Sequence, residues 1–445
     1  MSDVRDLHII VVGCGMGGLG CALSLAKNGF KNVHVYENAP GLGFVGAGIQ
    51  MAPNMARILD RLGCWDAIEK EATNVKETSI RQGSTNEELA HVQMPDIRAK
   101  YGYPHCTGHR ASLAGEMYNG CKNEPGIRFH FGTTLVSVDS FSPKAKVTMK
   151  PLNGPDFAVE ADVVIGGDGI KSITRDSMLS RLGLKAEEFE TGQAAYRIML
   201  TREQMSTDPE LLALLDSDLV VRWIGEQRHI IAYPVANKTI YNLSSAQPDT
   251  KFAAAPTATW TTFGSKEAML EVYGDFCPLV HKMLGMVPEG EVCEWRLRQH
   301  KPLPTWVHGG VALLGDACHP TLPHLSQGAA MAIEDGAVIA EVLGRARSAD
   351  PAEVHRCLKV YELLRKERTS ELVDLAYQSG RALHLGEGKA KEERDKQFAA
   401  FKENKASIPD KWASPDVQNM IYSHDCVAHA RQNFDDLYKS IAAKL

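Results

Sequence analysis

The sequence predicts an α/β protein: a Rossmann-type dinucleotide-binding domain interleaved with a sheet-rich segment and followed by a helical C-terminus. Three observations carry that prediction. A strand-like run ends in G-x-G-x-x-G at Gly13, Gly15 and Gly18. Two later apolar runs, Val163-Val164-Ile165 and Val311–Leu314, each end in glycine and then aspartate, at Asp168 and Asp316. Beyond residue 346, in RCLKVYELLRKERTSELVDLAYQ, apolar residues recur at helical spacing.

The first element, Ile9–Val12, is a short β-branched run of the kind found in central parallel strands. Gly13 then permits the tight turn, Gly15 lets a pyrophosphate approach the backbone, and Gly18 lets the next helix pack close. That helix, expected over 18–28 and ended at Asn28-Gly29, aims its N-terminal amides at the phosphates. A second strand, Val33–Tyr36, delivers Glu37 to accept hydrogen bonds from a ribose diol. The run GLGFVG at 41–46 also fits the glycine pattern, but Asn38-Ala39-Pro40 precedes it and no helix follows directly. It reads as a loop.

The fingerprint alone does not separate NAD from FAD; the two later junctions do. Each places an aspartate just beyond the carboxyl end of a strand, where ligands of open α/β sheets sit. Either one alone reads better as a tight turn with a capping aspartate. Three such junctions point to one long ligand threaded across the sheet. The helix opening near Gln327-Gly328 would turn its positive end toward that ligand, as an isoalloxazine requires when reduction charges its pyrimidine ring.

Bulk properties narrow the class. A chain of 445 residues suggests two intimately packed domains. The net charge is 49 − 55 = −6, with no basic stripe, which gives nucleic-acid binding little support. Ten cysteines without CxxC spacing read as reduced thiols, arguing against metal clusters and secretion. The stretch Ile9–Ala26 is nearly free of polar side chains, but its five glycines favour a buried strand and packed helix over a membrane span. The last residues, Ala443-Lys444-Leu445, are one conservative step from the peroxisomal Ser-Lys-Leu address. A cytoplasmic or peroxisomal location is therefore expected.

In order and spacing, the three motifs resemble those of the single-component FAD-dependent aromatic hydroxylases of the p-hydroxybenzoate hydroxylase fold, in the salicylate and hydroxybenzoate hydroxylase branch. Other stretches share the likeness: Gly46-Ala47-Gly48-Ile49-Gln50 with Pro53-Asn54, His109-Arg110 with Leu113, Ala195-Tyr196-Arg197, Ala232-Tyr233-Pro234 and Tyr422-Ser423-His424-Asp425. The resemblance implies non-covalent FAD with Gly13, Gly15 and Gly18 at its pyrophosphate and Glu37 at the adenosine ribose. It places Gly48 among the cofactor-binding residues and Arg110 near the pyrophosphate and ribityl chain. Asp168 belongs to a motif linked to both FAD and NAD(P)H, Asp316 would hold the ribityl hydroxyls, and Gly328 and Ala329 would offer amides to the flavin. Pro323 would lie beside the reactive carbon of the ring. Such enzymes have no separate nicotinamide domain, and dimers are common among them. The implied layout is a discontinuous FAD domain (1–75, 104–182 and 296–345), a substrate domain (76–103 and 183–295) and a C-terminal helical segment (346–445), in which GEGKAKEERDKQF reads as solvated.

The implied reaction reduces FAD with NADH or NADPH, adds O₂ to the reduced flavin, and transfers the distal oxygen of the hydroperoxide to an electron-rich ring. A phenol is activated by ionisation, and its ordinary pKa of about 10 means the site must help remove the proton. His229 and Tyr233, four apart on a strand, share one face. By the resemblance His229 is the base or acceptor for the phenol and Tyr233 a substrate anchor; the plainer reading is a core histidine and a packed tyrosine. Arg197 fits a substrate carboxylate or a structural acid equally. His324, after Pro323, should lie near the flavin and tune substrate choice, whereas His319 reads as motif scaffold. Trp223, Trp260 and Trp295 read as core or pocket wall. The leading expectation is hydroxylation of a phenolic acid, with or without loss of its carboxylate. Alternatives are a hydroxylase of a larger phenol, a non-hydroxylating FAD oxidoreductase of the same fold, and a flavin-bearing interaction protein.

Overall fold

The computed structural model describes residues 3–43, 47–94, 96–251 and 261–442. Gly46, Trp260 and the tripeptide Ala443-Lys444-Leu445 lie outside the described residues.

A six-stranded sheet forms the base of the molecule, in the spatial order Val307–His308, Val311–Leu313, Val163–Gly166, Ile9–Val12, Val33–Tyr36, Ile127–His130. All neighbours are parallel except the first pair. The three strands preceding the glycine junctions therefore lie side by side. Their register aligns Val12 with Gly166 and Gly166 with Leu313. Gly13, Gly167 and Leu314 thus leave the sheet at one level, on the carboxyl edge where open parallel sheets bind ligands. The strand cores are fully buried, from Ile9–Val11 through Val163–Ile165 to Val311–Leu313, which explains their unbroken apolar character.

Two helices cover one face of this sheet. Met16–Lys27 follows the first strand, and Gly328–Leu343 packs along it. The pair approaches through glycine: a Cβ at Gly336 would stand 2.6 Å from the Cys21 backbone. The apolar run from Ile9 is thus a four-residue strand and a twelve-residue helix, and no helix among the described residues is long and apolar enough to cross a membrane.

An eight-stranded sheet stands over the carboxyl edge. Its order is Thr261–Phe263, Cys293–His300, Glu188–Thr201, Ile240–Pro248, Arg228–Val235, Leu219–Gly225, Glu77–Gln82, Glu88–Gln93. Residues from 77–93 join it through a parallel pairing with Leu219–Gly225. The Cys293–His300 strand continues past the expected boundary at 295/296, because its pairing with 188–197 holds it in this sheet to His300.

The C-terminal part is helical: Pro351–Leu383, Lys389–Lys402, Pro415–Tyr422 and Cys426–Ala442. The first of these begins at an Asp350 cap whose side chain accepts the Ala352 N–H, with proline in the first turn. The stretch expected to be solvated is largely exposed and runs into the helix Lys389–Lys402. Phe398 and Arg394 are its buried face, Phe398 packing with Leu372 and Trp412. Two anchors spaced four apart outweigh the surrounding charges. The Tyr422–Asp425 motif ties this part back to the base. Arg57 donates to the Tyr422 and His424 carbonyls, and Arg61 grips Asp425 at 2.5 and 2.6 Å.

Candidate active site

The glycine loop shows three different needs. Gly13 has φ +94°, and a Cβ there would stand 2.5 Å from the Gly167 carbonyl oxygen. A Cβ at Gly18 would come within 2.0 Å of the Gly13 carbonyl oxygen. At Gly15 a Cβ would meet nothing within 4 Å, so that glycine faces open space. Glu37 stands across the turn, accepting the Cys14 N–H at 2.7 Å and the Ala39 N–H at 2.9 Å. A carboxylate has acceptor capacity beyond two such bonds.

The open space at Gly15 is a cavity of about 400 Å³. Gly15, Met16, Arg110, Asp316, Pro323 and Ala329 are on its wall. Two helix N-termini open on it, those of Met16–Lys27 and Gly328–Leu343, and neither has a side-chain cap. Their first amides therefore present unsatisfied N–H groups and positive dipole ends to one space. The guanidiniums of Arg110 and Arg197 also reach it without an ion pair to any described residue. Burial lowers both pKa values. Arg197, with Arg110 close by, comes down to about 10 and remains a cation at neutral pH.

The far wall is one face of the large sheet. Arg197, Ile231, Tyr233, Asn242 and Ser244 line the cavity from three adjacent strands. Cross-strand register explains the grouping, because Arg197 pairs with Ser244 and Tyr233 with Asn242. Asn242 Oδ1 accepts the Gly48 N–H at 2.6 Å, linking sheet and base. The Arg197 guanidinium lies 4.5 Å from the Trp295 ring centroid, a cation–π contact that fixes it without neutralising it.

A family model described as FAD binding domain matches residues 6–376. The chain belongs to that family, and it is an FAD-dependent aromatic monooxygenase. The FAD-dependent monooxygenase OpS4 of Beauveria bassiana is 30% identical over 97% of this chain and 98% of its own. The 6-hydroxynicotinate 3-monooxygenase of Pseudomonas fluorescens is 33% identical over 83% of this chain and 90% of its own. A salicylate hydroxylase substrate complex superposes with a TM-score of 0.76 at 23% identity, covering 96% of this chain and 98% of that one. The fold is that of the aromatic hydroxylases.

The residues present in this family member suit FAD. Gly15 leaves room for a diphosphate beside the Met16 and Gly17 amides, and Arg110 supplies a cation near it. Asp316 bonds no other described residue and opens on the cavity floor. Withdrawal from bulk water pushes its carboxyl up, against the pull of His319, Arg110 and His300. It is free to accept from ribityl hydroxyls. Gly328 and Ala329 bring uncapped amides, Gly48 lies under Tyr233 and Asn242, and Pro323 stands on the wall.

Asp168 differs. Its carboxylate accepts Ser172 Oγ at 2.5 Å and the Thr174 N–H and Oγ1 at 2.9 Å each. It braces the start of the Ile173–Arg181 helix, whose N-cap is Ser172, and its neighbours Gly167 and Gly169, rather than its own side chain, line the cavity. His319 is buried scaffold, bonded to Asp335 at 2.5 Å. Trp223 is a core residue.

Tyr233 and His229 share a strand face but not a cavity. Tyr233 is on the cavity wall, whereas the His229 ring turns to His384 and His324. His324 faces away from Pro323's cavity into a second one of about 270 Å³, also lined by Gln193, Tyr377, Arg381 and His384. Burial pushes all three imidazoles down, His384 to about 4.

Asn242, Ser244 and His384 were not singled out from the sequence. Alternation along 240–248 could have found the first two once their register with Tyr233 was known. His384 carries no local signal.

These buried rings predict a pH dependence. His105, His229 and His324 are neutral in the folded protein, burial holding each pKa below the ordinary value. In the unfolded chain they titrate near about 6.5. Their contribution is complete above that pH and is lost as pH falls toward their folded values, at about 1.4 kcal/mol per pH unit for each ring. Melting temperature is expected to drop steadily from pH 7 to pH 5; a flat profile would contradict neutral burial.

Proposed function

We propose that this monooxygenase hydroxylates a phenolic aromatic acid, with NADH or NADPH as reductant and O₂ as oxygen donor. The observation that carries the reading is the pairing of an uncompensated cation, Arg197, with a phenol donor, Tyr233, on one wall of the cavity that Pro323 also lines. Arg197 suits a carboxylate bidentately. Burial raises the Tyr233 pKa, so its hydroxyl stays protonated as a hydrogen-bond donor. His229 lies behind that wall, its ring turned to His384 and His324. Relatives named for 6-hydroxynicotinate and 3-hydroxybenzoate, rings bearing both groups, support the same substrate class.

When bound, FAD supplies the redox chemistry, taking electrons from NAD(P)H and delivering one oxygen atom of O₂ to the ring. The chain's own residues hold and orient. Gly15, the Met16 and Gly17 amides and Arg110 receive the diphosphate; Asp316 receives the ribityl chain; Gly328 and Ala329 meet the negative end of the ring system. The large sheet supplies the wall of the site that faces the base.

The 270 Å³ cavity beyond Leu322 and His324 favours a second reading, a phenol larger than a single ring that extends into it. The test is NAD(P)H oxidation against a panel of hydroxybenzoates, with peroxide and product quantified together. One acid is expected to accelerate oxidation with little peroxide. A panel that leaves the basal rate unchanged would move the larger phenol ahead.

A further inference from the structure

Asn242 and Tyr233 are paired across adjacent strands, and both are on the wall of the 400 Å³ cavity. One residue of the base receives them. A Cβ at Gly48 would stand 2.5 Å from Asn242 Cγ and 2.7 Å from Tyr233 Cε2, so glycine is what lets both side chains lie against that strand. The contact also sets the direction of the asparagine amide. The Gly48 N–H meets Asn242 Oδ1 at 2.6 Å. A backbone N–H can only donate, so the amide oxygen faces the base and Nδ2 takes the other side.

Asn242 is 1% exposed, and its Nδ2 bonds no described residue. Buried amides ordinarily spend their protons within the protein. Here they are left over on a residue of the cavity wall, and a donor in that position calls for an acceptor the chain does not supply. Tyr233 adds a second donor beside it, since burial raises its pKa and keeps the hydroxyl protonated.

Sheet register sets these donors against a charge. On the strand Ile240–Pro248, Tyr233 flanks Asn242, and Arg197 flanks Ser244 two residues further on. Two residues of a strand span about 7 Å. The wall therefore offers neutral donors at one level and a cation at the next, a spacing suited to two substituents on one aromatic ring. With a carboxylate at Arg197, the donor pair is left for the other group.

We propose that Asn242 is a specificity-determining residue that donates from Nδ2 to the ring oxygen of the substrate, alongside the Tyr233 hydroxyl. Two donors accept an oxygen, protonated or ionised, and reject a group that brings protons instead of lone pairs, because both donors would then stay buried and unpaired. The inference rests on the reading of the substrate as a phenolic acid, and it adds which side chain recognises the phenol oxygen.

The test titrates 2-, 3- and 4-hydroxybenzoate and the three matching aminobenzoates into the oxidised, FAD-loaded protein, with Kd read from the change in flavin absorbance. In the wild type one hydroxybenzoate is expected to bind at least about 10-fold tighter than its amino counterpart. Asn242→Asp keeps the Gly48 bond through one oxygen and puts an acceptor where Nδ2 stood. Its preference for hydroxyl over amine is expected to fall about 10- to 100-fold, at unchanged FAD content. Asn242→Leu, which has neither polar atom, is expected to lose preference as well. A wild type without the preference, or a preference unchanged in either FAD-loaded variant, would overturn the assignment. Loss of FAD from both variants would also overturn it, making the asparagine a support for the cofactor. If no hydroxybenzoate perturbs the wild-type flavin, the phenolic-acid reading falls and this inference falls with it.

Discussion

Arg365→Leu is expected to lower the unfolding free energy by about 3–5 kcal/mol. Arg365 is fully buried in the Pro351–Leu383 helix. Its guanidinium pairs with Glu334 at 2.7 Å and Asp335 at 2.8 Å, both on the Gly328–Leu343 helix. Burial alone would raise both carboxyls; Arg368 and Arg365 hold Glu334 well below the ordinary range, and His319 and Arg365 lower Asp335. Leucine would leave two carboxylates in the interior with one cation fewer. The network also reaches the site: Asp335 accepts the Gly315 N–H at 3.0 Å, one residue before Asp316. FAD retention should therefore weaken along with stability. Urea denaturation measures the first effect, and a change below about 1 kcal/mol would contradict the assignment of this cluster as an interior charge lock.

Gly18→Ala and Gly15→Ala are expected to weaken FAD about 10- to 100-fold by different routes. At Gly18 the new methyl would press on the Gly13 carbonyl at 2.0 Å, a backbone atom in the tight turn that directly follows a buried strand. The helix must slide, at about 1–3 kcal/mol in stability, carrying the Met16 and Gly17 amides with it. At Gly15 the methyl meets nothing in the protein, so stability should change by about 1 kcal/mol or less. It would instead occupy the space where the diphosphate approaches. Melting curves of the apoproteins, set beside FAD titrations, separate the two routes. If Gly15→Ala binds FAD as tightly as the wild type, the diphosphate does not lie against that glycine.

The parallel sheet was legible in the sequence because its three junction strands are buried on both faces and must be continuously apolar. Glycines at their ends marked the ligand edge. Two features of the site were legible only as alternatives. The Asp168 carboxylate accepts from Ser172 and Thr174 at the start of the next helix, contacts that a Gly-Asp pair does not announce. His229 shares a face with Tyr233, as a strand requires, yet its ring packs against His324 and His384 and does not line the cavity that Tyr233 lines. What stayed hidden depends on contacts distant in sequence. Asn242 reaches the cavity through its register with Tyr233, and His384 meets His229 across 155 positions. Charge composition gave the exposed character of 386–398 but not the two buried anchors, Arg394 and Phe398.

The most direct test of oxygen transfer by this protein is the origin of the oxygen in the product. The FAD-loaded enzyme is given NAD(P)H, the most effective hydroxybenzoate of the panel and isotopically labelled dioxygen, and the aromatic product is weighed by mass spectrometry. A hydroxylase places one labelled atom on the ring, with NAD(P)H consumed in equal amount. Product carrying only unlabelled oxygen, or peroxide as the sole fate of the label, would contradict it.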